Sequence, residues 1–222
     1  MMTRLPRWVE VGGFCLAAIA GAVNAVGLLG FKHQAVSHLT GTSSLLGAAV
    51  AGDDLLTAGH LLLILLSFVA GAVLSGALIG NAALQLGHRY GVALLIEAAL
   101  LFAAMHVLTH GSATGHFLAS AACGLQNGMA STYSGATIRT THLSGMFTDI
   151  GNMIGWRLRG HPFDRRRAVL YTLLIVGFIA GGTIGALAFA HLQFRALALP
   201  ACGAIALAVV YWSYRQRRPH AT

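Results

Sequence analysis

Charged side chains are scarce in this sequence. Asp, Glu, Lys and Arg make up 9% of its 222 residues, whereas a soluble domain carries about 25%. The few charges are also unevenly placed, because residues 11–31, 61–80 and 168–190 contain none. Each stretch is long enough to cross a hydrocarbon core of about 30 Å as a helix. The composition therefore excludes an ordinary soluble domain and predicts an all-α integral membrane protein.

Cysteine is also rare, and nothing about it suggests a metal site. The three cysteines, Cys15, Cys123 and Cys202, lie in apolar stretches without the spacing of metal ligands. We interpret them as small apolar side chains and expect no metal and no other cofactor. The net charge of +8 would suggest nucleic acid in a soluble chain. Here the basic residues lie at the ends of apolar segments, so we expect a lipid bilayer as partner and no nucleic acid.

The apolar segments predict six membrane spans and two short helical pieces. The short pieces, residues 38–51 and 142–156, begin with polar residues and are too short to be clear spans; the pattern leaves open whether they re-enter or cross. The predicted spans are residues 9–31, 56–80, 91–109, 115–135, 168–190 and 195–214.

Basic residues predict the orientation, because Arg and Lys concentrate on the cytoplasmic side. With six spans and the N-terminus inside, twelve of the fourteen basic residues lie on the cytoplasmic side, and only Lys32 and Arg195 lie outside. We therefore expect a multi-pass protein with both termini cytoplasmic. Eight spans would move Arg89, and arguably Arg139, to the outside and fit the distribution less well.

The chain repeats a polar phrase. "HLTG" at 38–41 and "HLSG" at 142–145 follow Asn24 and Asn127 at nearly the same interval, and "FVAGAVLSGAL" at 68–78 resembles "FIAGGTIGAL" at 178–187. We infer two membrane repeats, residues 9–109 and 115–214, between a cytoplasmic N-terminus (1–8) and a basic tail (215–222). Three spans per repeat make the repeats inverted in the membrane, an arrangement common among secondary transporters.

Two stretches also resemble a known family. "NAVGLLGFKHQAVSHLTGTSSLLG" and "GLQNGMASTYSGATIRTTHLSGMFTDIG" are similar to the paired signatures of the YoaK family of bacterial membrane proteins, catalogued as a domain of unknown function. The resemblance covers nearly the whole chain. It implies an inner-membrane protein with six or seven helices, and it supplies no activity.

Helix breaks at membrane depth persist only inside protein or beside a wet cavity. We predict such breaks at the two phrases, with Thr40 and Ser144 as N-caps and Gly41 and Gly145 permitting close approach. Short helices starting there would direct free N–H groups inward, a site suited to an anion or a carboxylate. Tight helix packing alone is the alternative, and we also expect close packing at Gly76, Gly80, Gly181 and Gly185.

The remaining polar residues at membrane depth complete the predicted site. Buried amides need partners, so Asn24, Asn127 and the adjacent Gln126 face the bundle interior, as solute contacts or as structural bonds between helices. Thr141 precedes the second phrase, and His38 and His142 head the two phrases, either as protonatable lining of a cavity or as simple hydrogen-bonded structure. Glu97 and Asp149 are the acids expected at membrane depth, where carboxylates often serve proton relays; a neutral or salt-bridged acid near the interface is the alternative.

These features favour a small secondary transporter or channel-like permease, with a site for a small anionic or zwitterionic solute between the repeats. The alternative is a membrane scaffold or interaction module. We expect no enzymatic activity, since neither "YSG" nor "LSG" has the GxSG context of a serine nucleophile. Whether the helix contacts lie within one chain or across a homodimer is not readable from the pattern.

Overall fold

A computed structural model describes residues 7–30, 36–80, 88–133 and 139–216, and this part of the chain is helical throughout apart from short turns. The expectation of an all-α protein is thereby confirmed. A short 3-10 helix, Gln193–Leu197, joins the last two helices. The α-helices of the described residues are α1 (Arg7–Gly30), α2 (Leu39–Ala51), α3 (Leu55–Ile79), α4 (His88–Thr109), α5 (Gly115–Tyr133), α6 (Leu143–Leu158), α7 (Arg165–Leu192) and α8 (Ala198–Gln216).

Six of these helices are long and coincide with the predicted spans; α2 and α6 coincide with the two short pieces. Within the described chain, four stretches are long and apolar enough to cross a membrane: α1 from Glu10, α3, α4, and the continuous stretch that contains α7 and α8. Helix α5 is not among them. It carries polar side chains that are buried against neighbouring helices, namely His116, Ser120 and Gln126.

The helix starts differ between long and short helices. Asp54 precedes α3 and Asp164 precedes α7, and each carboxylate accepts the N–H three residues later at 3.0 Å. Helices α2 and α6 instead begin directly after His38 and His142, neither of which makes a side-chain cap bond. The prediction that Thr40 and Ser144 are N-caps is therefore wrong.

The reason for this difference lies in the imidazole rings. The ring of His38 folds over the first turn of α2, where a Cβ on Gly41 would lie 2.5 Å from its Nδ1. The ring of His142 covers Gly145 in the same way. The glycine leaves room for the ring, so the helix begins one residue after the histidine and Thr40 and Ser144 become part of its first turn.

The closest helix contacts join α1 to α7 and α3 to α5. Gly181 of α7 lies against the carbonyl of Ala18 in α1, and Gly71 of α3 lies against the carbonyl of Ala121 in α5. The first contact confirms the expected close packing at Gly181, which continues at Gly185 against Ala22. Gly76 and Gly80 make no such contact within the chain, because a Cβ at either would meet nothing within 4 Å; a contact there across a homodimer stays a prediction.

The contacts divide the described helices into two bundles. The first bundle consists of α2, α3, α4 and α5; the second consists of α1, α6, α7, the 3-10 helix and α8. They meet mainly where α4 packs against α8 and the 3-10 helix, and α1 touches α5. Helices α2 and α6 lie at the periphery on α3 and α7, with Thr42 the buried residue of α2 and Met146 and Met153 those of α6.

We predict that Gly71→Ala destabilises the protein by about 1–3 kcal/mol, because the added methyl would collide with backbone that cannot rotate away. Gly76→Ala, in the same helix, is the matched control and is expected to be neutral or slightly stabilising, since its Cβ is unobstructed and Ala favours helix over Gly. Thermal unfolding in detergent measures both. Equal midpoints for the two variants would contradict the close packing of α3 on α5.

Candidate functional site

The first polar turn is held by a hydrogen bond to α1. Ser37 Oγ donates to Asn24 Oδ1 at 2.7 Å, and Ser37 is 3% exposed. Asn24 lies six residues before the end of α1 at Gly30, which corresponds to about 9 Å of helix. Residue 37 therefore lies well inside the end of α1, and α2 starts from that depth.

The second polar turn is held to α5 in the same manner. Asn127 Nδ2 donates to Thr141 Oγ1 at 2.9 Å. Thr140 Oγ1 donates to Asn127 Oδ1 at 3.2 Å and lies 3.4 Å from Gln126 Oε1. Asn127 is also six residues before the end of its helix, at Tyr133, so α6 starts about 9 Å inside that end.

The two turns are built alike but differ in polarity. Ser37 and Thr141 each directly precede the histidine of the repeated phrase. The neighbouring pair is buried and apolar in the first half, Val23 and Val36, whereas Gln126 and Thr140 are its buried polar counterparts in the second. Sequence reasoning missed Ser37, for which the hydroxyl directly before His38, matching Thr141 before His142, was the available signal. Thr140 was not among the predicted site residues, although it lies in the same polar stretch.

Gln126 connects the second turn to α1. Its Nε2 donates to the carbonyl oxygen of Leu16 at 2.9 Å, and Gln126 is 1% exposed. Asn24 lies eight residues further along α1, about 12 Å from that contact. No hydrogen bond among the described residues joins Asn24 to Asn127 or Gln126, so the predicted site residues form two clusters along α1 rather than one.

The start of each short helix is exposed on the surface of the chain. His38, Thr40, His142 and Ser144 are exposed, while Gly41, Gly145 and Thr141 are partly covered. The hydroxyls deeper in these helices are satisfied locally, because Ser44 Oγ donates to the Thr40 carbonyl and Thr148 Oγ1 to the Ser144 carbonyl. The first-turn N–H groups have no such local partner in an α-helix.

Asp149 lies in an ion pair. Arg167 Nη2 is 3.1 Å from Asp149 Oδ2, with both side chains about 40% exposed, and Arg167 Nε donates to Tyr171 Oη at 2.9 Å. The ion pair attaches α6 to α7, and the bond to Tyr171 holds the Arg167 side chain against its own helix. Of the two acids predicted to carry a proton, Asp149 is thus the salt-bridged one.

Glu97 has a different environment. It lies in the middle of α4 and is 2% exposed. Its Oε2 is buried without a hydrogen-bond partner in the part of the chain that the structure describes. Across the same described residues, no group of three or more His, Cys, Asp and Glu side chains is placed to hold a metal ion.

Residues 12–210 match the family described as "Protein of unknown function (DUF1275)". The chain belongs to this family. It is also 28% identical over 189 residues to the UPF0700 transmembrane protein YoaK of Bacillus subtilis (strain 168), across 78% of this chain and 80% of the relative. The resemblance to the YoaK family is thus confirmed, and with the apolar helices it makes this a membrane protein. No solved structure matches the chain.

We predict that Thr140→Val destabilises this YoaK-family protein by about 0.5–2 kcal/mol, because it removes a buried donor shared by Asn127 and Gln126. Thr148→Val is the matched control, since its exposed hydroxyl bonds only within α6. Thermal unfolding in detergent compares them. A Thr140 variant as stable as the Thr148 variant would show that the second turn does not depend on this network.

Proposed function

We propose that this protein is a small secondary transporter or channel-like permease for a small anionic or zwitterionic solute. The observation that carries the proposal is the pair of asparagine-anchored turns from which α2 and α6 start, each about 9 Å inside the end of a long helix. Irregular backbone at membrane depth is tolerated where it is buried or lines a water-filled cavity. Both starts are exposed, which favours the cavity.

We further propose that the two halves are inverted repeats. Equivalent contacts support this: Asn24–Ser37 and Asn127–Thr141 anchor the turns, and Asp54 and Asp164 cap the third helix of each half at the same distance. Three long helices per half bring the second half into the membrane from the opposite side. The starts of α2 and α6 would then point inward from opposite faces.

The solute class follows from the helix starts. The first N–H groups of a helix and its dipole attract anions, and neither His38 nor His142 occupies those groups with its side chain. The imidazoles cover the first turn instead, where they can contact a bound carboxylate or other anion. We therefore propose that each helix start, residues 38–41 and residues 142–145, can hold a solute, and we assign transport, not catalysis, to the protein.

The packing suggests which parts would move. Helix α1 packs on α7, and α3 packs on α5, through glycine contacts. Each bundle therefore contains helices from both halves of the chain. Alternating access would then move the first bundle against the second. Asn24–Ser37, Asn127–Thr141 and Gln126–Leu16 all join one bundle to the other, so these are the bonds that would change.

We predict the orientation through single cysteines in a cysteine-free background. With both short helices re-entrant and the N-terminus cytoplasmic, Ser112→Cys, between α4 and α5, is labelled by an impermeant maleimide in intact cells. His161→Cys, between α6 and α7, is labelled only after permeabilisation and serves as the control. If α2 and α6 spanned the membrane, position 112 would be protected as well, which would contradict the six-span topology.

A scaffold function remains the second candidate, favoured by one observation. The side-chain amide of Asn127 is occupied on both its nitrogen and its oxygen by residues of the same chain. Groups satisfied in this way can serve stability alone. The two functions differ in whether a small molecule stabilises the protein.

We predict that one class of small anions or amino acids raises the thermal unfolding midpoint of the detergent-purified protein. Binding to the folded state stabilises by about 2.7 kcal/mol at a hundredfold excess over Kd. The shift should be lost in the double variant His38→Ala/His142→Ala, whose histidine side chains make no hydrogen bond that caps a helix. The shift should be kept in His161→Ala, the control, because His161 lies in an exposed loop. A panel of anions, amino acids, sugars and metal ions without any shift would favour the scaffold.

A further inference from the structure

Glu97 lies at the seam where both bundles meet. The adjacent residue Ala98 packs with Ile19 of α1 and Ala204 of α8. One turn after Glu97 along α4, Leu101 packs with Cys123 of α5. Before Glu97, other residues of α4 pack with Leu125 and Met129 of α5. A carboxyl group at this position is enclosed by helices of both bundles.

Among the residues that the structure describes, those around Glu97 include no cation. On α5 the ionisable side chain within electrostatic range is Cys123. On α8, Cys202 is exposed, and Tyr211 packs beside Tyr90, seven residues or about 10 Å beyond Ala204.

The other elements packed on α4 add none either. His60 of α3 contacts His116 near the start of α5, far from the middle of α4. Arg195 in the 3-10 helix is exposed at the end of α7. Within the described residues Glu97 therefore has no counter-ion.

An ionised carboxylate is strongly disfavoured when it is buried at membrane depth without a counter-ion or hydrogen-bond donors. The neutral acid is the form compatible with this conformation. It follows that any movement admitting water to the seam between α4 and α8 would allow the acid to ionise.

Asp149, the other acid predicted at membrane depth, has different surroundings from Glu97. Its carboxylate already has Arg167 as a counter-ion and is half exposed, so both its charge and its hydration are available without a conformational change. Asp149 attaches α6 to α7, so of these two acids Glu97 is the one whose charge state depends on how the two bundles meet.

We propose that Glu97 is a proton-binding site that loads and unloads as the two bundles move, and that it couples solute movement to protons. The coupling rests on the transport function proposed above. The acid releases its proton to water that reaches the opened seam, leaving a hydrated carboxylate, and takes a proton from water before the seam closes. Cys123 is one helical turn from Gln126, whose bond to Leu16 joins the bundles, so the proton site and the polar turn can respond to the same movement.

The first test is infrared difference spectroscopy of the full chain in liposomes, wild type minus Glu97→Gln, over a pH series. We expect a carboxylic-acid C=O band at acidic pH that is lost reversibly at alkaline pH and is unchanged in Asp149→Asn. A band that persists at every pH at which the protein stays folded would mean a permanently neutral structural acid. Carboxylate bands alone, shifting on addition of sodium, would mean a metal-cation site. Either result overturns the proposal.

The second test measures coupling with whichever solute stabilises the protein. In liposomes without a membrane potential, a pH difference is imposed across the membrane. If one proton moves with each solute, the ratio of solute concentrations inside and outside shifts by up to about tenfold per pH unit. Glu97→Gln should still be stabilised by the solute but should only equilibrate it. Gradient-driven movement in Glu97→Gln would overturn the coupling. If the infrared band were reversible but no solute stabilised the protein, Glu97 would still be a proton-binding site, and the proposed transport function would be contradicted.

Discussion

The close approach of helix backbones at glycine is the constraint on which the rest of this structure depends. Gly71 and Gly124 bring α3 and α5 together, and Gly21 and Gly181 do the same for α1 and α7. In lipid there is no hydrophobic driving force between helices, so association relies on van der Waals contact and hydrogen bonds. Removing the side chain lets backbone meet backbone over a long surface. These pairs interlock the two halves of the chain, and the bundles they define are the units available for movement.

The polar groups at membrane depth are arranged around that constraint. Once α1–α7 and α3–α5 are formed, residues 36–38 and 139–142 must lie beside helices of the other bundle, where unpaired groups are expensive. Asn24 and Asn127 satisfy them through Ser37 and Thr141. The same bonds therefore complete the fold and join the units that the proposed transport would separate. This double role explains why stability measurements alone cannot assign these residues a function, whereas ligand binding can.

Asp149 and Glu97 are both carboxylic acids, but their surroundings in the fold favour different charge states. Asp149 meets a guanidinium at the periphery, so its ionised form suits the folded state. Glu97 lies among apolar helix surfaces and Cys123 where the bundles meet, so its neutral form suits the folded state. Both are single carboxylates in apolar sequence. Folding gives Asp149 a guanidinium that attaches α6 to α7 and leaves Glu97, among the described residues, buried without a counter-ion.

Sequence alone determined the class of the protein, the eight helices of the described chain and the positions of the two polar turns, because these follow from local quantities: apolar length, missing charge and a repeated phrase. It also selected Gln126 and Glu97 as buried polar residues, whereas Asn24 and Asn127 are partly buried. Tertiary structure decided what lies opposite each of them. It separated the predicted site into two clusters about 12 Å apart along α1 and replaced Thr40 and Ser144 by His38 and His142 at the helix starts. It also placed the glycine contact of α3 within the chain at Gly71. Periodicity shows which residues share a helix face, but the rotation of that face toward a particular neighbour depends on contacts between segments about a hundred residues apart.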